Sequence, residues 1–430
     1  MKSAVFYGKH DLRVEEYAQP EVGPEDVLIQ VKACGICGTD VHIYEGDKGA
    51  AEVTPPTILG HEVSGVVVKT GDKVTEYRAG DRVCIDPNCY CGACDACRNG
   101  EAHFCEHMIG YGTTVNGGFA EYCAVNYRQV YRLGENTTFE QGAMAEPVAC
   151  CLHGLDMCEI RPGHQVVVIG GGMIGLLMVQ LAKLAGAAKV ALLEPVEGKR
   201  EVGKKLGADI CIDPVNEDVK AALAGSGMNW VQTVIECVGR PSTIEQAIEI
   251  AGKKAVVMMF GLTKPEETIG VKPFQIFQKE LVLKASFINP YTQKRALDLI
   301  DSGCLDVSSM IYDVCGLDRL GDILSQPQLR AKGNILFLRK NREYRKITEK
   351  GSCLQSECGQ EPSFPGYMIF IFPGKVLFFM KLRHFDVCMR HYLLGQFFFY
   401  GSQFLLQFPY LTLVTGSGVD LLFQLFLLFF

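Results

Sequence analysis

Apolar residues fall into two rhythms along this 430-residue chain. Through about residue 150 they come in short β-type runs, VLIQVKA, VSGVVV, DRVCI and AEYCAV, separated by Gly, Pro and Asp. Runs of this length and punctuation predict a mostly-β region with long loops. From about residue 163 to 287 the rhythm changes. QVVVIG leads into a helix predicted over Met173–Ala185, and KVALLE precedes a second helix through Lys204 and Lys205. WVQTVIECVG, the helix around STIEQAIEIA, KAVVMMFG and LVLKASF continue the alternation. Strands this apolar, alternating with amphipathic helices, predict an α/β region with a parallel sheet covered on both faces.

The end of the chain follows neither rhythm. Fifteen of the 24 Phe lie in the last 67 residues, so this segment differs in composition from everything before it. A membrane-spanning helix needs roughly 20 predominantly apolar residues. GYMIFIFPGKVLFFMKL is interrupted by Pro373, Gly374 and Lys375, and the closing LLFQLFLLFF follows Asp420. Neither stretch is expected to span a bilayer; an interfacial anchor is the alternative.

Charge narrows the possible partners. The formal net charge is −7, which lacks the basic footprint of a nucleic-acid binder. Lys9, His10, Asp11 and Arg13 break up any signal-peptide core near the start, so the expected compartment is the reducing cytoplasm. There, nineteen cysteines are expected to be thiols or metal ligands rather than disulfides. Many, such as Cys150 and Cys151, read as small buried hydrophobes.

Five cysteines crowd into CYCGACDACRNGEAHFC. Cys91, Cys94, Cys97 and Cys105 have the spacing C-x2-C-x2-C-x7-C, from which four thiolates can close a tetrahedron around zinc. A closed shell leaves no position for substrate, so such a site is structural. Cys84 and Cys89 then stand aside. The competing readings are a disulfide knot, a redox pair, an iron–sulfur cluster and a nucleic-acid finger. A missing export signal, a Gly- and Asn-rich loop and the lack of a following basic helix weigh against the first, second and fourth.

A second constellation is dispersed. CGICGTD and GHEVSGVV place Cys37, Thr39, His61 and Glu62 on loops beside strands, and Glu146 sits in MAEPVAC. One Cys, one His and a carboxylate make a three-ligand shell with a fourth position open for water or substrate. Taken singly, each of these residues reads as ordinary packing; their joint appearance makes the metal-site reading. GGGMIG follows QVVVI and opens a helix, the context in which such glycines hold a dinucleotide. Gly170 permits the turn, Gly172 lets a pyrophosphate approach, and Gly175 lets helix and strand pack closely. Glu194, nineteen residues past Gly175, is placed to bind a ribose 2′-hydroxyl. A turn that binds nothing, or binds a flavin, remains the alternative.

With these motifs in one chain, the sequence resembles the zinc-dependent medium-chain alcohol/polyol dehydrogenases. CGICGTD, GHEVSG, the four-cysteine lobe, GGFAEY, AEPVA and GGGMIG carry the resemblance, from residue 1 to about 335. It implies a GroES-like, mostly-β catalytic domain over residues 1–153 with a return segment at 290–335. An inserted Rossmann domain, a doubly wound parallel sheet binding NAD(P), is then expected at 154–289. It further implies that Cys37 and His61 hold a catalytic zinc, with Glu62 and Glu146 as acids that exchange there. Thr39 would start a proton relay that His42 extends, and Ile174, Glu194 and Lys199 would contact the cofactor. Two zinc ions per chain, NAD in preference to NADP, and a homodimer or homotetramer are expected. The implied reaction passes a hydride from a secondary alcohol of a polyol or sugar alcohol, phosphorylated ones included, to the nicotinamide. Threonine and butanediol are alternative substrates; a non-catalytic zinc- and nucleotide-binding protein is the alternative of another class. GTDVHIY resembles the threonine branch, but the tryptophans usual after it are replaced by EGDKGA. Residues 340–430 fall outside the resemblance. They read as out-of-frame or read-through translation, with a membrane-associating tail or an extra domain as alternatives.

Overall fold

The computed structural model describes residues 1–47, 52–330 and 334–339, and short strands at 367–372, 375–381, 411–414 and 420–423. Met1–Asn341 and Arg342–Phe430 are separate compact units. In the second, Tyr367–Phe372 pairs antiparallel with Lys375–Lys381, and Leu411–Val414 with Asp420–Phe423. The rest of the 340–430 segment, and with it the question of its origin, lies outside the described residues.

In the first unit the short β-type runs build a seven-stranded sheet. Its centre is Asp26–Gly35, which pairs antiparallel with Glu62–Thr70, Tyr122–Asn126 and Asn334–Leu338. Ile311–Cys315 lies parallel to Asn334–Leu338, so the chain comes back after residue 300 to complete the sheet it began. The central strand is buried along most of its length, with Gln30 and Lys32 the partly exposed positions of VLIQVKACG.

The alternating region forms a six-stranded parallel sheet. Its order is Ile210–Ile212, Lys189–Leu193, Gln165–Ile169, Thr233–Glu236, Val256–Met259 and Val282–Ala285. The order reverses between Gln165–Ile169 and Thr233–Glu236, the doubly wound pattern that leaves a crevice at the strands' carboxyl ends. Two details differ from the sequence reading. The predicted helix stops at Leu184, with Ala185 as its C-cap. Cover on both faces fails at the sheet edge, where Val282–Ala285 is nowhere buried and Val282 is exposed.

The helix Ala145–Cys158 joins the two sheets and runs through position 153 without a break. Its Val148, Cys151 and Leu152 share one apolar core with Leu177 and Leu181 of the helix Met173–Leu184. A second joint is polar. Fully buried Asn289 and Gln293, on the returning chain, reach back to the first sheet's loops. Asn289 donates to Asp86 Oδ1 at 3.2 Å and accepts from Asn88 Nδ2 at 2.6 Å, while Gln293 donates to the Ile85 carbonyl at 3.0 Å.

Burial pushes the Asp86 carboxyl up to about 7, against the pull of the Asn88 and Asn289 donors. The folded state therefore holds this proton more tightly than the unfolded chain. The associated stability is present below about pH 4 and is lost as pH rises to about 7. Asp86→Asn keeps an Oδ1 acceptor and has no charge to bury. Its melting temperature is expected to exceed that of the wild type above pH 7, with the advantage disappearing near pH 4. Three pKa units at roughly 1.4 kcal/mol each set an upper bound of about 4 kcal/mol. Paired melting curves at the two pH values check this; a constant difference would show that Asp86 is ionised at no structural cost.

Candidate active site and cofactor sites

Register places the first cluster. In the antiparallel pair of Asp26–Gly35 and Glu62–Thr70, Gly35 lies directly across from Glu62. Two residues past Gly35, Cys37 caps the helix Gly38–Tyr44, its sulfur accepting the Thr39 N–H at 3.5 Å. The strand pairing thus fixes both ends of the cluster. Ligand atoms of Cys37, His61 and Glu62 all lie within 4.8 Å of one another. His61 and Glu62 are buried, whereas Cys37 is partly exposed, so the cluster opens on the cysteine side.

Asp40, which the sequence reading passed over, positions two members of this cluster. Its Oδ2 accepts the Cys37 N–H at 2.9 Å, and its Oδ1 lies 3.6 Å from His61 Nδ1. With Nδ1 turned to Asp40, Nε2 is the ring nitrogen left for a metal. The available signal was an acid three residues after a potential helix cap.

The cluster has the electrostatics of a cation site. Both oxygens of Glu62, Asp40 Oδ1 and His61 Nδ1 are buried without a hydrogen-bond partner. Buried polar atoms in that condition cost several kcal/mol unless something compensates them. Burial, then the nearby Glu146, pushes Glu62 up to about 8, and burial likewise raises the Cys37 thiol. A divalent cation reverses both penalties. One sulfur, one imidazole nitrogen and one carboxylate suit zinc with a position left open.

Glu146 is buried in the first turn of Ala145–Cys158, but it is not part of the three-atom group. Its Oε1 instead accepts from Cys150 Sγ at 3.3 Å. Thr39 and His42, three apart on one helix, lie on the same face and are partly exposed. His42 Nδ1 is 3.4 Å from Asp47 Oδ2. Residues 48–51, in the stretch that separates the polyol and threonine readings, lie outside the described residues.

Gly35 is the other residue missed. A Cβ built there would sit 1.6 Å from Glu62 Oε2, inside contact distance. Gly35→Ala must push the Glu62 carboxyl out of the cluster. Zinc affinity at this site is expected to fall at least about tenfold, a size typical of changes around a metal's ligands. Chelator competition on the purified variant measures it, and unchanged affinity would show that Glu62 is dispensable for binding.

In the lobe, Cys91, Cys94, Cys97 and Cys105 bring their sulfurs within 4.8 Å of one another as free thiols. Zn–S bonds of about 2.3 Å give a tetrahedral S···S edge of about 3.8 Å, and Cys91 and Cys97 are 4.0 Å apart. Backbone N–H groups of Ala93 and Cys94 point at Cys91 Sγ, and those of Cys91 and His107 at Cys105 Sγ, at 3.3–3.4 Å. Donors of this kind favour thiolates; Cys94, given such bonds, is held down to about 6.

At the parallel sheet, Gly170 has φ of +100°, and a Cβ at Gly175 would lie 1.8 Å from the Gly170 carbonyl. Gly172 is exposed and faces open space, the room a pyrophosphate needs. Ile174 and Lys199 are partly exposed at the starts of Met173–Leu184 and Glu197–Lys205. The buried Glu194 carboxylate accepts from Gly171 N–H at 2.6 Å and Val196 N–H at 2.8 Å, locking it against the glycine loop. Arg200 is committed elsewhere, to the Glu194 and Pro195 carbonyls and to Asp213 at 3.2 Å.

Comparison with known proteins decides what these sites belong to. The alcohol dehydrogenase GroES-like domain family matches residues 23–135, and the zinc-binding dehydrogenase family matches residues 174–302. D-arabinitol dehydrogenase 1 of Uromyces fabae is 32% identical over 329 residues, covering 75% of this chain and 93% of its own. The chain belongs to the zinc-dependent medium-chain alcohol/polyol dehydrogenase family. An L-threonine 3-dehydrogenase of Caldanaerobacter subterraneus is 35% identical, over 68% of this chain and 83% of its own. Among solved structures, a zinc-binding dehydrogenase from Sinorhizobium meliloti with NADP bound is 38% identical. Its TM-score is 0.76, covering 79% of this chain and 99% of that one. The dehydrogenase therefore has a GroES-like part and a Rossmann part, and it uses zinc and NAD(P). Among the described residues, no helix is long and apolar enough to cross a membrane.

Proposed function

We propose that this dehydrogenase oxidises a secondary alcohol of a polyol or sugar alcohol, free or phosphorylated, with NAD as the preferred hydride acceptor. The observation that carries this reading is the Cys37, His61 and Glu62 cluster, whose buried polar atoms lack partners and whose cysteine side is open. Cys37, His61 and Glu62 would hold zinc, which would supply a Lewis acid for the alcohol oxygen, and a nicotinamide bound at the glycine loop would supply the hydride-accepting chemistry. The protein's own part is placement. Asp40 fixes Cys37 and His61, and the Thr39 hydroxyl takes up the alcohol proton and hands it towards His42, at the partly exposed face. The helix Ala145–Cys158, packed on the helix that follows the glycine loop, ties cofactor to cluster.

Relatives named as arabinitol and sorbitol dehydrogenases support a polyol. Threonine is the second reading, favoured by GTDVHIY and by the threonine dehydrogenases among the relatives. Turnover of a panel of polyols, polyol phosphates, butanediol and threonine, each with NAD and NADP, tests the substrate. No turnover with any of them would favour the non-catalytic reading.

The NAD preference rests on Glu194, whose locked carboxylate suits a ribose 2′-hydroxyl and repels a 2′-phosphate. Arg200 is engaged with Asp213, which leaves Lys199 as the nearby cation to offset that repulsion. Catalytic efficiency with NAD is expected to exceed that with NADP, and Glu194→Ala is expected to narrow the gap roughly tenfold or more, as one removed charge clash allows. Equal efficiency in the wild type would overturn the assignment.

The same reading divides the chain into a catalytic domain at 1–153 with its return at 290–335, and a Rossmann domain at 154–289. It also places the protein in a reducing, cytoplasmic setting, in which the four lobe thiolates stay available to zinc. A homodimer or homotetramer is supported by Val282–Ala285, an edge strand among the described residues, and by Phe274 and Phe277 of the preceding helix Pro273–Lys279, 71% and 76% exposed.

A further inference from the structure

The family resemblance names two acids for the catalytic zinc and leaves open which of them binds. The structure separates them. Glu62 stands with Cys37 and His61 within 4.8 Å, and Glu146 does not. Glu146 is held by its own helix: Cys150, one turn on in Ala145–Cys158, points its sulfur at Glu146 Oε1 at 3.3 Å. Residues four apart on a helix face each other, so this contact is built into the local sequence EPVAC. At such a pair the thiol is the donor and the carboxylate the acceptor. We propose that Cys150 is a positioning residue that holds the Glu146 carboxylate off the metal, leaving Glu62 as the third ligand.

A thiol suits that task because it is a weak donor. It biases Glu146 towards its own helix and away from the open position beside Cys37, His61 and Glu62. A residue without a donor would free Glu146 to compete for the open position. A hydroxyl would keep it tethered. The inference rests on the reading of Cys37, His61 and Glu62 as a zinc site.

The test uses the full-length holoenzyme, its zinc exchanged for cobalt, with visible absorption and chelator-driven zinc release as readouts. Cys150→Val removes the donor at similar volume. Its cobalt bands are expected to weaken and shift as a further oxygen joins the shell, and zinc release should slow roughly tenfold, the lower end of outer-contact effects. The kcat should fall while KM for NAD stays near that of the wild type. Cys150→Ser should retain the wild-type spectrum and release rate. Glu146→Gln combined with Cys150→Val should return the spectrum to that of the wild type. The four-thiolate cobalt bands of the lobe report whether each variant is folded. A wild-type spectrum and release rate in Cys150→Val would overturn the role of Cys150. Failure of the parent reading looks different: Cys37→Ser would then bind as much metal as the wild type.

Discussion

Cys37→Ser is expected to yield a folded, nucleotide-binding protein that carries about one zinc fewer per chain and turns over almost no alcohol. The fold should survive because Cys37 acts locally as a helix cap. Serine is itself a good cap, so its hydroxyl can accept the Thr39 N–H. Asp40 still receives the residue-37 N–H, because that bond is to the backbone. The thiolate is what serine cannot supply. A hydroxyl is a poor zinc ligand, and the two remaining donors, His61 and Glu62, make a weak site. Loss of the Lewis acid should cost at least about 1000-fold in kcat, or roughly 4 kcal/mol of barrier. Metal analysis, NADH titration and turnover on one preparation check all three parts. An unfolded variant would mean that Cys37 is structural.

Cys94→Ser should fail in the opposite order. The stretch from Cys91 to Cys105 has little apolar content of its own: its helix Asp95–Arg98 is four residues long with no buried side chain. Four sulfurs around zinc are then the core of the lobe, as in small metal-dependent modules. Replacing one opens the shell and loosens the loop. The damage should spread to the joint it touches, because the His103 ring lies 5.3 Å from His153 and Phe104 stacks 6.2 Å from Phe287. The melting temperature is expected to drop by about 5–10 °C, the equivalent of a few kcal/mol in a protein this size. Turnover per folded molecule at low temperature should stay within a few-fold of the wild type. Scanning calorimetry and kinetics on matched samples measure the pair of effects. Full stability together with lost turnover would reverse the roles assigned to the two metal sites.

How much of this was legible beforehand depended on sequence distance. The lobe is a local object: ligands a few residues apart must meet wherever the loop goes, so the spacing of Cys91 to Cys105 was informative. GGGMIG was legible for the same reason, since its chemistry is that of one turn and one helix start. Cys37, His61 and Glu62 come from two strand ends, and only their motifs hinted at a meeting. The contacts that arrange them were not legible. Gly35 matters because strand register sets it across from Glu62, and Asp40 because the helix Gly38–Tyr44 carries it to within 3.6 Å of His61. Whether Glu146 joins the cluster depended on the direction of the helix Ala145–Cys158, far along the chain from Cys37 and His61. The Arg200–Asp213 pair also joins separate elements, so sequence distance hides it.

The central claim is that Cys37, His61 and Glu62 hold the metal that drives alcohol oxidation by hydride transfer to a nicotinamide. Its most direct test is a polyol deuterated at the carbinol carbon, incubated with NAD and the holoenzyme, with the nucleotide product read by mass spectrometry. The prediction is that deuterium appears in the reduced nucleotide with the wild type and disappears with Cys37→Ser, which still binds NADH. Deuterium transfer of equal extent in Cys37→Ser would contradict the account.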